Sequence, residues 1–75
     1  MLKVLKENQF DDFFKIMQES FPADEYRPYQ LQRGLLSLPQ YQIYGYEKGQ
    51  SLAGFLAAWE GPWFTFLEHF AVKEK

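Results

Sequence analysis

The run Phe64-Thr65-Phe66-Leu67-Glu68-His69-Phe70-Ala71-Val72 decides how this chain is read. It is rich in aromatic and β-branched residues, apolar on both faces of a period-two alternation, and interrupted by one carboxylate and one imidazole. A run of that kind is a strand. It holds no internal proline or lysine, the usual devices that blunt a sheet edge, and its composition announces no bulge. Its backbone donors and acceptors therefore call for a neighbour on each side. The expectation is an unfinished sheet, completed by further polypeptide or by a second copy of the chain.

Working back from that strand, Gly61-Pro62 is a turn. Before it, SLAGFLAAWE (residues 51–60) is another strand apolar on both faces, and YQIYGYEK (41–48) is a third, closed by the turn residue Gly49. Short turns make 41–48, 51–60 and 62–72 an antiparallel meander. Strands apolar on both faces require cover on both, and helices are the available cover.

Those helices lie upstream. Phe10, Phe13, Phe14, Met17 and Phe21 repeat at helical spacing, with Asp11, Asp12, Lys15 and Glu19 on the wet side. This predicts a helix over 9–20, opened by an Asn8/Asp11 capping arrangement and stopped before Pro22. Pro28 suits the first turn of a second helix, with Leu31, Leu35 and Leu38 as its apolar face, ending at Pro39. Gly34 inside it costs roughly 1 kcal/mol against Ala, which a close approach by a neighbour would explain. Leu2 and Val4 mark a short first strand, residues 1–6. In chain order the expected elements are β1 (1–6), α1 (9–20), α2 (28–38), β2 (41–48), β3 (51–60) and β4 (62–72). The fold class is α/β, an α+β layering of helices on an antiparallel sheet in one domain spanning 1–75.

Composition narrows the function. At 75 residues the chain is a small, marginal domain, with about 60% of its unfolded surface buried on folding. It is 47% hydrophobic and 20% aromatic, which excludes disorder and leaves more aromatic surface than a small core hides. The net charge of -2, without a basic stripe, argues against nucleic acid. No apolar run reaches membrane-spanning length, and the amino terminus is too polar for a signal peptide. With no cysteine and one histidine, disulfide, thiolate and structural zinc chemistry are all excluded, and the expected setting is cytoplasmic.

Taken together, FPADEYRPYQLQRGLL (21–36), YQIYGYEKGQSLAGFLAAWE (41–60) and FTFLEHFAV (64–72) resemble the N-terminal half of a GNAT-family N-acetyltransferase. The resemblance implies the order β1-α1-α2-β2-β3-β4 followed by a cofactor-binding half, and acyl transfer from acetyl-CoA to a primary amine. It implies that backbone groups near the end of β4, here Phe70, Ala71 and Val72, bind the pantetheine arm. It also assigns the loop between the helices, here Phe21, Asp24, Glu25, Tyr26 and Arg27, to the acceptor pocket, and an acid on β4, here Glu68, to the role of base. The family's R/Q-x-x-G-x-G/A pyrophosphate cradle, its following helix and a late Tyr acid have no counterpart before Lys75. The resemblance thus implies a truncated acetyltransferase, inactive alone and binding no cofactor tightly. The alternative is a non-catalytic, dimerising interaction module derived from an acetyltransferase.

The residues themselves allow two readings each. Alternation places Glu68 with Phe66, Phe70 and Val72, and His69 opposite with Leu67 and Ala71, so no Glu-His pair forms within the strand. Under cover, Glu68 would have a raised pKa and accept an ammonium proton; at an open strand end it is a half-exposed acid. His69 reads as a packing residue or a proton shuttle. Asp24 and Glu25 either hold an amine or cap the second helix. Trp59 and Trp63 are expected to pack on the hairpin or line a pocket.

Overall fold

The computed structural model describes residues 2–73. The sheet has four strands in the order β1-β2-β3-β4, every neighbour antiparallel: β1 is Leu2–Val4, β2 Tyr41–Lys48, β3 Ser51–Glu60 and β4 Thr65–Val72. The two central strands have the predicted bounds. β1 is shorter than predicted, and β4 starts three residues later because residues 61–64 close a turn in which Gly61 N–H donates to the Phe64 carbonyl, 2.8 Å away. The β2–β3 turn needs Gly49, whose φ of +68° is strained for any residue with a Cβ.

α1 covers Phe10–Ser20 and buries Phe10, Phe13, Phe14, Ile16 and Met17 against Tyr41, Ile43, Leu52, Phe55, Ala57 and Ala71. Phe13 meets Phe55 edge-on with ring centroids 4.6 Å apart, the central contact between helix and sheet. Burying each such ring contributes about 2 kcal/mol. The helix start differs from expectation: Asn8 does not cap it. A single 3₁₀ turn, Glu7–Gln9, leads in, and the Lys6 N–H donates to Gln9 Oε1 at 3.0 Å. At the other end Phe21 is extended, as its position before Pro22 requires.

α2 is shorter than predicted, Tyr29–Gly34, followed by a 3₁₀ turn over Leu35–Ser37. Of the predicted leucine stripe only Leu35 packs against the core; the fully buried residue is Gln32, while Leu31 is 64% exposed and Leu38 also faces outward. The reason is polar. Gln32 Nε2 donates to the buried Tyr41 hydroxyl at 2.6 Å, and its Oε1 accepts from Arg27 Nη1 at 3.3 Å. A leucine in that place would leave those partners unsatisfied. Nothing approaches Gly34, so the close neighbour expected there is absent.

Both helices lie on one face of the sheet, contrary to the expectation of cover on both. The opposite face is bare. Trp59 packs against Tyr41, with centroids 4.8 Å apart, but Trp63 is 91% exposed and packs on nothing.

Candidate functional site

The site forms where the segment between the helices crosses β4. The β3–β4 register runs Gly54↔Val72, Phe55↔Ala71, Leu56↔Phe70 and Ala57↔His69, and then jumps to Ala58↔Leu67. Glu68 is the extra residue of a β-bulge. A bulge turns two successive side chains to the same side of the sheet. This corrects two expectations at once. β4 does carry an edge-bending bulge, and Glu68 and His69 do share a face, with His69 Nδ1 3.7 Å from Glu68 Oε1. Leu67, Phe70 and Val72 remain on the bare face.

The loop then closes over the pair. Pro22 and Pro28 bracket a single 3₁₀ turn, Ala23–Glu25; Tyr26 after it is extended, and Arg27, before Pro28, points back at the strand. Arg27 donates from Nη1 to Glu68 Oε1 at 2.9 Å and from Nη2 to Oε2 at 2.6 Å, a two-pronged ion pair. Burial alone would push the Glu68 pKa up. The Arg27 hydrogen bonds and charge outweigh it, with Trp59 and His69 adding, so the carboxyl sits below its ordinary value. The expected upward shift is thereby reversed, because cover arrives as a guanidinium rather than as apolar surface. Arg27 is raised in turn, chiefly by its hydrogen bond to Glu68. Behind them, burial pushes the Tyr41 phenol up to about 12, so it stays a neutral hydroxyl.

His69 is fixed on two sides. Its ring meets Phe21 edge-on at 4.9 Å, and its Nε2 lies 2.9 Å from the Glu25 carbonyl oxygen. A carbonyl only accepts, so Nε2 must carry the proton. In the neutral ring Nδ1 then carries the lone pair; it is buried, has no hydrogen-bond partner and faces Glu68. Glu25 thus acts through its main chain. Neither it nor Asp24 caps α2, and Pro28 precedes the helix without a side-chain cap.

Asp24, Glu25, Tyr26, Arg27, Glu68 and His69 together line an open cleft of about 320 Å³. Tyr26 forms its inner wall, edge-on to Phe14 at 5.6 Å. A second cleft, about 520 Å³, lies on the other side of Phe21, between Glu19–Phe21 and the end of β4 at residues 70–72 with Lys73 beyond it. All the site residues named from the sequence therefore fall around Phe21, the loop residues and Glu68 in one cleft, the β4 end in the other. His69 was the residue underread. Alternation hid it, and a bulge leaves no signature in a run apolar on both faces.

β4 is an edge of the sheet that the described residues form, so on its outward side the main chain at Phe70, Ala71 and Val72 has no strand beside it there. Among the described residues the one cation lining this second cleft is Lys73. Among the described residues no glycine-rich helix start stands beside it to take the phosphates, and no group of acidic or histidine side chains is placed to hold a metal. No helix of the described residues is long and apolar enough to cross a membrane.

No family model and no curated protein matches this sequence. Among solved structures, it matches a protein assigned to the GNAT family of acetyltransferases from Bacteroides thetaiotaomicron, with TM-score 0.87 and 21% identity, over 97% of this chain and 44% of that one. The chain thus has a partial GNAT fold, α+β with four antiparallel strands and two helices, and spans less than half the length of the acetyltransferase it matches.

Proposed function

We propose that this chain is the acceptor-binding portion of an N-acetyltransferase that moves an acetyl group from acetyl-CoA to a primary amine. The observation that carries the reading is the convergence of the loop residues Glu25 and Arg27 on Glu68 and His69 at the β4 bulge, next to the free edge at Phe70–Val72. Bound acetyl-CoA would supply the activated thioester.

This chain's residues supply the rest. Asp24, Tyr26 and the ionised Glu68 line the cleft that receives an ammonium group. Arg27 keeps Glu68 charged and its two oxygens fixed, so Glu68 attracts and orients the cation. A carboxylate held below its ordinary pKa is a weak base. The neutral Nδ1 of His69, 3.7 Å behind Oε1, gives a proton taken by Glu68 a second acceptor. As the ammonium N–H bond breaks, the proton goes to this pair and the amine is left free to attack. The phosphate cradle would come from polypeptide beyond this chain, and the chain by itself is expected to lack turnover. Absence of cysteine and dependence on acetyl-CoA favour a cytoplasmic setting.

Titrating a short acetyl-pantetheine thioester into the labelled chain tests this by amide NMR. Shifts should centre on Phe70, Ala71 and Val72 and reach Glu68 when an amine is added. Saturating thioester that leaves β4 unmoved would sink the proposal. A second reading, a non-catalytic module that pairs through its sheet, is favoured by the bare face.

A further inference from the structure

Gln32 is completely buried, and nothing in the packing of apolar side chains asks for an amide there. A buried amide weakens a fold unless its groups are paired. The pairing here fixes its orientation. Arg27 offers only donors, so the Gln32 atom 3.3 Å from Nη1 is the oxygen; the amide nitrogen then faces Tyr41, whose hydroxyl oxygen accepts at 2.6 Å. The Arg27 Nη1 that reaches Gln32 is the nitrogen that also donates to Glu68 Oε1 at 2.9 Å. It carries two N–H groups, one for each acceptor. A line of contacts thus runs from β2 through α2 and the loop to β4, in the order Tyr41, Gln32, Arg27, Glu68. Both of its ends lie on the sheet. The Tyr41 end is closed in, 2% exposed and packed on Trp59. Beyond burial and its bond to Gln32, the Tyr41 phenol responds to both members of the ion pair, Glu68 raising its pKa and Arg27 lowering it.

We propose that Gln32 is a positioning residue: anchored on Tyr41, it takes one N–H of Arg27 and so sets the plane of the guanidinium that grips Glu68. Two hydrogen bonds to one carboxylate leave the ion pair able to swing as a unit about the Glu68 side chain. A third bond, from a buried group tied to a neighbouring strand, removes that freedom. Glu68 then keeps one direction at the cleft, and an incoming ammonium group meets a carboxylate that need not reorganise. That consequence rests on the acetyl-transfer reading, which makes Glu68 the group that receives the ammonium; the bonds at Gln32 do not depend on it. A merely structural role, in which Gln32 only satisfies the Tyr41 hydroxyl, makes a different prediction. Removing the amide and the hydroxyl together would then leave Arg27 and Glu68 as they were.

The test compares Gln32→Met with the double variant Gln32→Met/Tyr41→Phe in the 75-residue chain. Gln32→Met strands a buried hydroxyl and should lose stability in urea. The double variant strands nothing at that end and should recover most of the loss. Positioning should not recover with it. In the double variant the Glu68 carboxyl should titrate higher than in wild type by carbon-detected NMR. The two Nη signals of Arg27, separate in wild type, should merge as rotation of the guanidinium becomes about tenfold faster, the effect of losing one hydrogen bond to a charged group. A double variant in which either readout stays as in wild type would overturn the proposal. So would a double variant that does not fold, since Gln32 would then hold the fold and not the ion pair. A thioester that leaves β4 unmoved removes the acetyl-transfer reading alone and leaves these results standing.

Discussion

Arg27 grips both carboxylate oxygens of Glu68, at 2.9 and 2.6 Å, across 41 positions of sequence. This pair ties the loop between the helices to the last strand, and its guanidinium also reaches the buried Gln32. It makes the cleft a fixed arrangement instead of a loop lying loosely on a sheet.

Removing the guanidinium should therefore do two things. Arg27→Ala removes the main compensation of a mostly buried carboxylate, so the Glu68 pKa should rise, as burial is then opposed only by Trp59 and His69. With Arg27 about one-third exposed, the loss of stability should be about 2 kcal/mol at neutral pH, between the values for exposed and buried pairs. Carbon-detected NMR titration and urea unfolding measure the two effects. A Glu68 pKa that stays low without Arg27 would contradict the account of the site.

The same pair sets an acid limit. Glu68 has a depressed folded-state pKa, so the folded chain holds its proton less tightly than the unfolded chain. Its contribution to stability is complete above the ordinary glutamate value of about 4.3 and is lost as pH falls through the lower folded value. Wild type and Arg27→Ala should differ most near neutrality and converge in that acid window. Unfolding midpoints that stay equally far apart at pH 7 and well below pH 4 would rule this out.

His69 should be a single tautomer. The Glu25 carbonyl demands a proton on Nε2, which leaves Nδ1 bare. Nitrogen-15 spectra of the neutral ring, recorded at alkaline pH, should show a pyrrole-type Nε2 and a pyridine-type Nδ1. The reverse assignment, or an even mixture, would mean that Glu25 does not hold the ring.

What the sequence revealed and what it hid follow one division. Regular periodicity was legible. The Phe10-Phe13-Phe14-Met17 stripe became the buried face of α1, and β2 and β3 have the bounds their composition implied. Departures from regularity were not. One extra residue at Glu68 reverses the facing of every side chain on one side of it, and no residue type marks the place. Buried polarity was equally hidden: Gln32 turns inward to Arg27 and Tyr41, five and nine positions away, an arrangement no periodicity marks, so Leu31 and Leu38 read as core and lie outside while Leu35 alone of that stripe packs against the core. The bare face is not legible in the sequence, because strands apolar on both faces imply cover on both and the two helices of this chain lie on one. The loop and β4 stand out in the sequence because each is marked by charge within apolar surroundings, and the structure brings Arg27 of the one onto Glu68 of the other.

The bulge makes one sharp prediction. Deleting Glu68 joins Leu67 directly to His69, and the ladder Ala58↔Leu67, Ala57↔His69, Leu56↔Phe70 becomes continuous without moving any other pair. His69 and Ala71 stay on the helix face, and Phe70 and Val72 stay on the bare one. The deletion should then cost little more than Glu68→Ala, the two agreeing to within about 1 kcal/mol, because each loses only the contacts to Arg27 and its neighbours. Were β4 regular, the same deletion would throw Phe70 and Val72 into the core and Ala71 out of it, and a chain this small would not survive the exchange. Urea denaturation of the two variants, side by side, distinguishes the cases. A deletion variant that fails to fold while Glu68→Ala folds normally would show that the strand has no bulge there.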